Sequence, residues 1–431
     1  MKRPLVYDIT RLVTRIFART PNGIDRVDYA FAKYALGESH PARAGVVTTP
    51  IGPRVIPLEA AREAIGNIRK HWREDADPES DDDYLAVKRA LEQPAAPKSV
   101  EVSAARRGQF GDAMVWVMRH GMPLAQLPWK FLDRGGVYLN VSQFPLWIDA
   151  CFRWLGPRDD IDGVFFIHDL LPLETPEYFR AAERSRHLRR LATLARYGRA
   201  AIVSTSITRK SLLRRMALLG RPDMPVLVAP LPADPAFAAS EPEWAPVRPP
   251  YFVMCGTIEP RKNHLLILHL WRDLAGALGQ ATPKLLLVGE RGWENEHVMD
   301  LLERCPALQG YVVRASGLST PALKRLMLGA RALLMPSFAE GYGLPAVEGL
   351  AAGVPVIASD IPVFHEIGGG RLTLLGPNDG PGWREAIRRL LLEPPPIPRL
   401  SPSGNLAGLE WNDFFAGIED FLREIAGAPV H

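Results

Sequence analysis

The sequence predicts an α/β protein of two doubly wound domains, each with a parallel sheet covered by helices on both faces. Three observations predict it. Short β-branched and aliphatic runs alternate with helical stretches along the chain. The runs are too uniformly apolar to have a wet face, which is the mark of parallel strands buried on both sides. They also fall into two series, separated by the polar, Pro-rich passage "SEPEWAPVRPP".

In the first series, strands are expected at "LVYDI", "AGVVTT", "AMVWVM", "GVYLNV", "GVFFIHD", "AAIVST" and "VLVAPL". The second comprises "YFVMCG", "KLLLVG", "YVVRASG", "ALLMPS", "PVIAS" and "LTLLG". The domains are therefore set at 1–235 and 251–405, with a linker at 236–250. A charged, Pro-punctuated excursion at about 56–110 interrupts the first and reads as an exposed helical insert or a mobile loop. In the tail, 406–431, Trp411, Phe414, Phe415, Ile418, Phe421 and Leu422 follow helical spacing, so a C-terminal helix with an apolar face to bury is expected at the interdomain seam.

Composition narrows the function classes. With 47% apolar and 23% charged residues among 431, the chain is a globular protein, and its net charge of +4 is too mild to argue for nucleic acid. Cys151, Cys255 and Cys305 are widely spaced and form neither a zinc pattern nor a disulfide framework. The opening "MKRPLVYDITRLVT" is broken by Asp8 and Arg11 and lacks the core of a signal peptide. No window approaches the ~20 apolar residues of a membrane span, and a cytoplasmic setting is expected.

The chemistry concentrates in the second domain. In "PSFAEGYGLPAVEGLAAGVPVIASD", a Gly-rich loop follows a strand, and Pro345 stands where a helix would begin. Gly341 and Gly343 allow a tight turn and a ligand close to the backbone. In open parallel sheets, ligands bind beyond the carboxyl ends of the strands, where this loop lies. Glu340 on the loop and Glu348 in the helix can each accept hydrogen bonds from vicinal hydroxyls, although their spacing alone is uninformative. The domain's first strand ends in "CGTIEPRKNH", which places Gly256 at a strand end and Arg261 and Lys262 before a helix. Two cations at a helix N-terminus make a diphosphate site without a metal.

Together "GTIEPRKNH", "LLLVGERGW", "SGLSTPALKRLMLGARALLMPSFAEGYGLPAVEGLAAGVPVIASDIPVFHEIGG" and "GPNDGPGW" resemble the retaining glycosyltransferases of the group-4 family, bacterial mannosyltransferase-like subgroup. The resemblance covers most of 251–384. It implies the GT-B arrangement, two Rossmann-like doubly wound domains facing across a cleft. It also implies that Arg261 and Lys262 hold the donor diphosphate, Glu340 touches the hexose and Glu348 binds the ribose. Ser316, Gly317 and Leu318 would lie against the nucleobase, with Gly256, Tyr342, Gly343 and Leu344 around the donor. Tyr342 stands where the family has Phe. Asp360 is a less certain contact.

In the first domain, "FFIHDLLPLETPEYF" resembles the subgroup's "HDL(I/L)PL", which implies that His168 lies beside the donor sugar. "TPNGIDRVDYAFAKYAL" resembles its "TGIxRV" loop, one residue off pattern, and carries Gly23 and Arg26 to the acceptor side. Ser142 and Gln143, in "VYLNVSQFPLW", would join them there. Between Arg180 and Arg221 the chain is dense in Arg and Lys, which reads either as a solvated basic face or as a surface for anionic lipid. Asp75 and Asp77 form a DxD pattern with no preceding strand, so a metal role there is discounted.

The expected activity is metal-independent transfer of a hexose, with retention, from a GDP- or UDP-linked donor to a saccharide or lipid-linked acceptor. GDP-mannose is the leading donor. No cofactor, metal or nucleic acid is expected, and peripheral contact with the inner face of the cytoplasmic membrane would suit a lipid-linked acceptor. Neither domain shows the GxGxxG with a later acidic residue of a nicotinamide enzyme. A non-catalytic sugar-nucleotide-binding subunit and a GT-B epimerase or phosphorylase are the remaining alternatives.

Overall fold

A computed structural model of the chain describes residues 3–16, 21–37, 43–49, 52–93, 126–238, 249–393 and 410–427. Two sheets organise it. The first has seven strands in the order β3-β2-β1-β4-β5-β6-β7, the second six in the order β10-β9-β8-β11-β12-β13. Strands β1 (Leu5–Asp8), β2 (Arg43–Thr49), β4 (Gly136–Asn140), β5 (Ile161–Ile167), β6 (Ala200–Val203) and β7 (Val226–Val228) fall where six of the seven apolar runs predict them. The expected strand at "AMVWVM" lies outside the described residues. In the second domain β8 (Tyr251–Cys255), β9 (Lys284–Val288), β10 (Val312–Ala315), β11 (Leu333–Met335), β12 (Val356–Ser359) and β13 (Thr373–Leu375) match all six runs. Every pairing is parallel except one, because β3 (Gly52–Ile56) turns back antiparallel on β2 at the sheet edge.

Burial explains the apolar runs. Val164, Phe165 and Phe166 in β5, and Leu285 and Leu286 in β9, are fully enclosed, since helices cover both sheet faces. Loops at the carboxyl ends of the strands of the two sheets meet, since Gly341, after β11, lies against Asp169, after β5.

Two expectations are corrected. The excursion is not an exposed insert over its described part. Its helix Leu58–His71 buries Ile68 and packs on β2 and the helix Gly23–Ala35 of the first domain, and Trp72 is buried just beyond it. The helix Asp82–Glu92 buries Val87 and Leu91 and docks on the second domain against β10 and the helix Thr320–Leu328. Arg73 joins Asp81 and Asp83 at 2.9 and 2.7 Å and donates to the Gly317 carbonyl at 2.8 Å, while Ser319 donates to Asp81 at 3.0 Å. The charges that suggested solvent serve this junction. Asp75, from the discounted DxD, pairs with Arg69 on the surface, and Asp77 caps the short helix Pro78–Ser80.

The C-terminal helix Trp411–Gly427 packs on the first domain rather than across the seam. Phe31, on the helix Gly23–Ala35, meets Phe414 and Phe415 edge-on, and Tyr34 stacks on Phe415 with centroids 3.9 Å apart. Arg43 reaches Glu419 at 2.7 Å, and Trp411 donates to the Ala233 carbonyl at 3.0 Å.

Candidate active site

The donor loop follows β11. Gly343 sits at φ +93 as the N-cap of the helix Leu344–Ala351, with Pro345 in its first turn, as the sequence predicts. A side chain at Gly343 would meet the Phe364 ring at 2.8 Å. At Gly341 it would strike Asp169 Cβ at 2.8 Å, so the loop lies against the other domain and only glycine permits the approach.

Glu340, Arg261 and Lys262 come together as one cluster. Lys262 donates to Glu340 Oε1 at 2.6 Å, Arg261 to Oε2 at 2.8 Å, and Ser337 to Oε1 at 2.7 Å. Arg261 also reaches Glu259 at 2.6 Å and the Ala339 carbonyl at 2.7 Å. Burial alone would raise the Glu340 carboxyl. Lys262 and Arg261 outweigh it and hold the group down at about 2. For Arg261, burial works against the charge, and Glu340 and Glu259 more than offset it. The short helix Pro260–Lys262 is fixed from behind by Asn263, which is left-handed at φ 58 and donates to the carbonyls of Pro336 and Pro377. Gly256 lies against Lys262, close enough that a Cβ would meet its Cε at 3.1 Å.

Glu348 is 2% exposed and is paired across the cleft with Arg26. Burial pushes its carboxyl up to about 7, with Arg26 opposing and Asp234 and Glu74 adding to the rise. Arg26 also donates to Thr320 at 3.3 Å, and Thr320 donates to Glu74 at 3.1 Å. Gly23 of the same loop packs towards Leu344. Ser316, Gly317 and Leu318 follow β10, with the Gly317 carbonyl taken by Arg73.

His168 follows β5 and contacts the Val141 carbonyl at 2.9 Å through Nε2. Burial depresses its ring to about 4, so the imidazole is neutral. The Ser142 hydroxyl accepts from the Phe144 amide at 3.3 Å. Gln143 is left-handed at φ 57 and only 6% exposed.

Two predicted contacts are spent otherwise. The Tyr342 ring is buried and its hydroxyl donates to the Leu231 carbonyl at 2.6 Å, tying the donor loop to the interdomain crossover. Asp360 is exposed and pairs with His365 at 2.5 Å. Sequence reasoning gave no role to Glu259 and Ser337, although both lie inside the motifs it read, nor to Glu74 and Asp234, which reach the site only through the fold. It also missed the stacking of Tyr178 on Phe338, with centroids 5.2 Å apart, which joins the two domains beside the cluster. A signal for it was present, since "TPEYF" directly follows the "HDLLPLE" segment.

Two facing domains built on parallel sheets give the GT-B architecture. It is similar to sucrose-phosphate synthase from Thermosynechococcus elongatus, with a TM-score of 0.60 at 16% identity over 99% of this chain and 100% of that one. It is also similar to an α,α-trehalose-phosphate synthase from Burkholderia xenovorans, with a TM-score of 0.51 at 14% identity, over 72% and 76%. At these identities the likeness concerns the fold alone. Residues 249–393, which make up the second domain, match the family model of group 1 glycosyl transferases.

Among curated proteins, O-antigen chain mannosyltransferase B of Escherichia coli is 35% identical over 129 residues, which is 30% of this chain and 33% of the relative. O-antigen chain mannosyltransferase RfbU of Salmonella typhimurium is 33% identical over 156 residues, 35% of this chain and 41% of the relative. The serotype-specific mannosyltransferase WbdA of Escherichia coli is 30% identical over 217 residues, 47% of this chain and 26% of the relative. The matched region thus spans less than half of each of these three relatives.

Proposed function

We propose that this protein is a glycosyltransferase that moves a hexose, with retention, from a nucleotide sugar to a saccharide or lipid-linked saccharide in surface-polysaccharide synthesis. The observation that carries the reading is the buried Glu340–Arg261–Lys262 cluster, set against His168 and Asp169 of the opposite domain. Mannose, from GDP-mannose, is the proposed sugar, supported by the names of the curated relatives.

In this mechanism Arg261 and Lys262 receive the diphosphate, whose charge grows as the glycosidic bond breaks. Two cations already ordered in a partly water-excluded site stabilise that charge in the transition state more than in the ground state. Glu340 holds both cations in place and accepts from the hexose hydroxyls. The leaving diphosphate takes the acceptor hydroxyl's proton on the same face of the sugar, which preserves the anomeric configuration. Neutral His168 donates its Nε2–H to the Val141 carbonyl and leaves Nδ1 to accept a hydrogen bond from a sugar hydroxyl, and its low basicity keeps it from becoming a competing cation. Glu348 binds the ribose once Arg26 yields. Because the protein supplies the positive charge, the reaction needs no metal.

Among the described residues no helix is long and apolar enough to cross a membrane. Peripheral contact with an anionic membrane is proposed for the helices Ala181–Tyr197 and Ser206–Leu218, where exposed Leu188 and Leu218 stand among arginines.

Thermal unfolding against GDP, UDP, ADP and their sugar conjugates, with and without EDTA, tests the function. A ligand of the native state raises the midpoint, and GDP-mannose is expected to do so unaffected by EDTA. No response to any nucleotide would remove the transferase reading in favour of a non-catalytic subunit. A response or turnover that EDTA abolishes would remove the metal-free mechanism.

A further inference from the structure

Arg190 lies in the first domain on the helix Ala181–Tyr197, beyond the donor cluster. Its guanidinium sits 5.2 Å from the centre of the Trp147 ring. Arginine has five donors in a planar fork, and among the described residues only its Nη1 is engaged, against the ring nitrogens of His187 at 3.0 and 3.1 Å. Its Nε is buried with no partner. Among the described residues it has no carboxylate within ion-pair distance. Glu183 is taken by Arg186 at 2.6 Å, and Asp169, which accepts from the Leu171 amide, acts on Arg190 only through space.

An arginine laid on an aromatic ring is ordinarily a packing feature. Two further facts separate this one. Its charge is under-compensated, since burial outweighs the distant carboxylates and weakens its hold on the proton. His187 offers no counter-charge, and burial, with Arg190 beside it, lowers the ring's affinity for a proton. Independently, Gln143 is 6% exposed and its Nε2 donor is buried without a partner. Gln143 precedes Phe144, whose ring meets Trp147 edge-on at 5.2 Å, so Gln143 and Arg190 flank one aromatic pair, Phe144 and Trp147. That corner adjoins the cleft, since Arg190 is among the charges acting on His168.

We propose that Arg190, with Gln143 beside it on the Trp147 wall, forms an oxyanion subsite that takes a phosphate group carried by the acceptor. A phosphate presents two oxygens to the free edge of the guanidinium fork and supplies the counter-charge the fold withholds. The donor diphosphate is already provided for by Arg261 and Lys262, so the second anion must enter with the other substrate. Assigning it to the acceptor rests on the transferase reading; the anion site itself does not.

The test is thermal unfolding of the full chain against inorganic phosphate, at constant ionic strength set with chloride. It is run in Lys262→Ala, so that the donor cations contribute least. The midpoint is expected to rise saturably with phosphate. Adding Arg190→Gln should raise the half-saturating phosphate about tenfold, the loss expected for a charged hydrogen-bonded contact. Gln143→Met should weaken phosphate in the same direction by a smaller factor, and it remains informative if Arg190→Gln does not fold. Without phosphate, Arg190→Gln should unfold no earlier than its parent, because an unpaired buried cation does not stabilise. An unchanged phosphate response in both variants would overturn the subsite. So would a phosphate-independent loss of stability in Arg190→Gln, which would make Arg190 a structural residue. A protein that binds phosphate through Arg190 but ignores every nucleotide would keep the subsite and lose the transferase reading.

Discussion

Replacing Glu340 with Gln is the sharpest perturbation of the candidate site, since one carboxylate holds both cations. Its descent from the ordinary 4.5 to about 2 corresponds to about 3 kcal/mol of stabilisation. The residue is almost wholly buried, and breaking a buried pair from one side costs about 3–5 kcal/mol, so the two routes agree. The sign follows from the depressed value. The contribution is complete above the unfolded value near 4.5 and is lost as pH falls through about 2. Urea unfolding of wild type and Glu340→Gln should therefore differ by about 3 kcal/mol at pH 7, shrinking to roughly half that by pH 3. The variant should still bind nucleotide, because Arg261 and Lys262 remain, yet transfer should be crippled. Equal stability at pH 7, or a difference indifferent to acid, would refute the idea that this carboxylate organises the cations.

Three further outcomes are expected. Lys262→Ala should abolish turnover with the fold intact, and Arg261→Ala should reduce it less; steady-state rates with circular dichroism on the same samples check both. In the proposed ribose contact Glu348 accepts most strongly as the carboxylate, so nucleotide affinity should rise with pH through about 7, and calorimetric titration of Glu348→Gln should show that dependence gone. Its raised value also means that the stability it contributes, complete below 4.5, is lost as pH rises through about 7, a decline that Glu348→Gln should flatten in urea unfolding. Tyr342→Phe removes one buried hydrogen bond to Leu231 and should cost about 1 kcal/mol in the same assay.

The strands were legible because both sheet faces are covered, which leaves an unbroken apolar signature. The donor loop was legible because its chemistry needs glycines and carboxylates within one short segment. β3 was not, because Gly52 and Pro53 read as a turn, and an edge strand tolerates a proline whose missing N–H faces away from the ladder. Arg26 and Glu348 stand 322 positions apart, so no local pattern could reveal their pairing. The excursion misled for a related reason. Arg73 and Asp81 look like solvent-seeking charges until the Gly317 carbonyl and Ser319 are brought to them by the other domain.

The path of the chain sets the rules for recombining this protein with its relatives. A donor module cut at 249–393 would be transplantable in sequence, but the segment 410–427 would have to stay behind with the acceptor module, because its aromatic face is seated on Phe31 and Tyr34. The stretch from Arg73 through the helix Asp82–Glu92 would need to be matched to the incoming module, since Arg73 and Asp81 read its surface, whereas the helix Leu58–His71 belongs with the first sheet. Hybrids that ignore this would join two intact lobes along a mismatched border. The two members of a pair such as Arg26 and Glu348 would then be inherited from different parents.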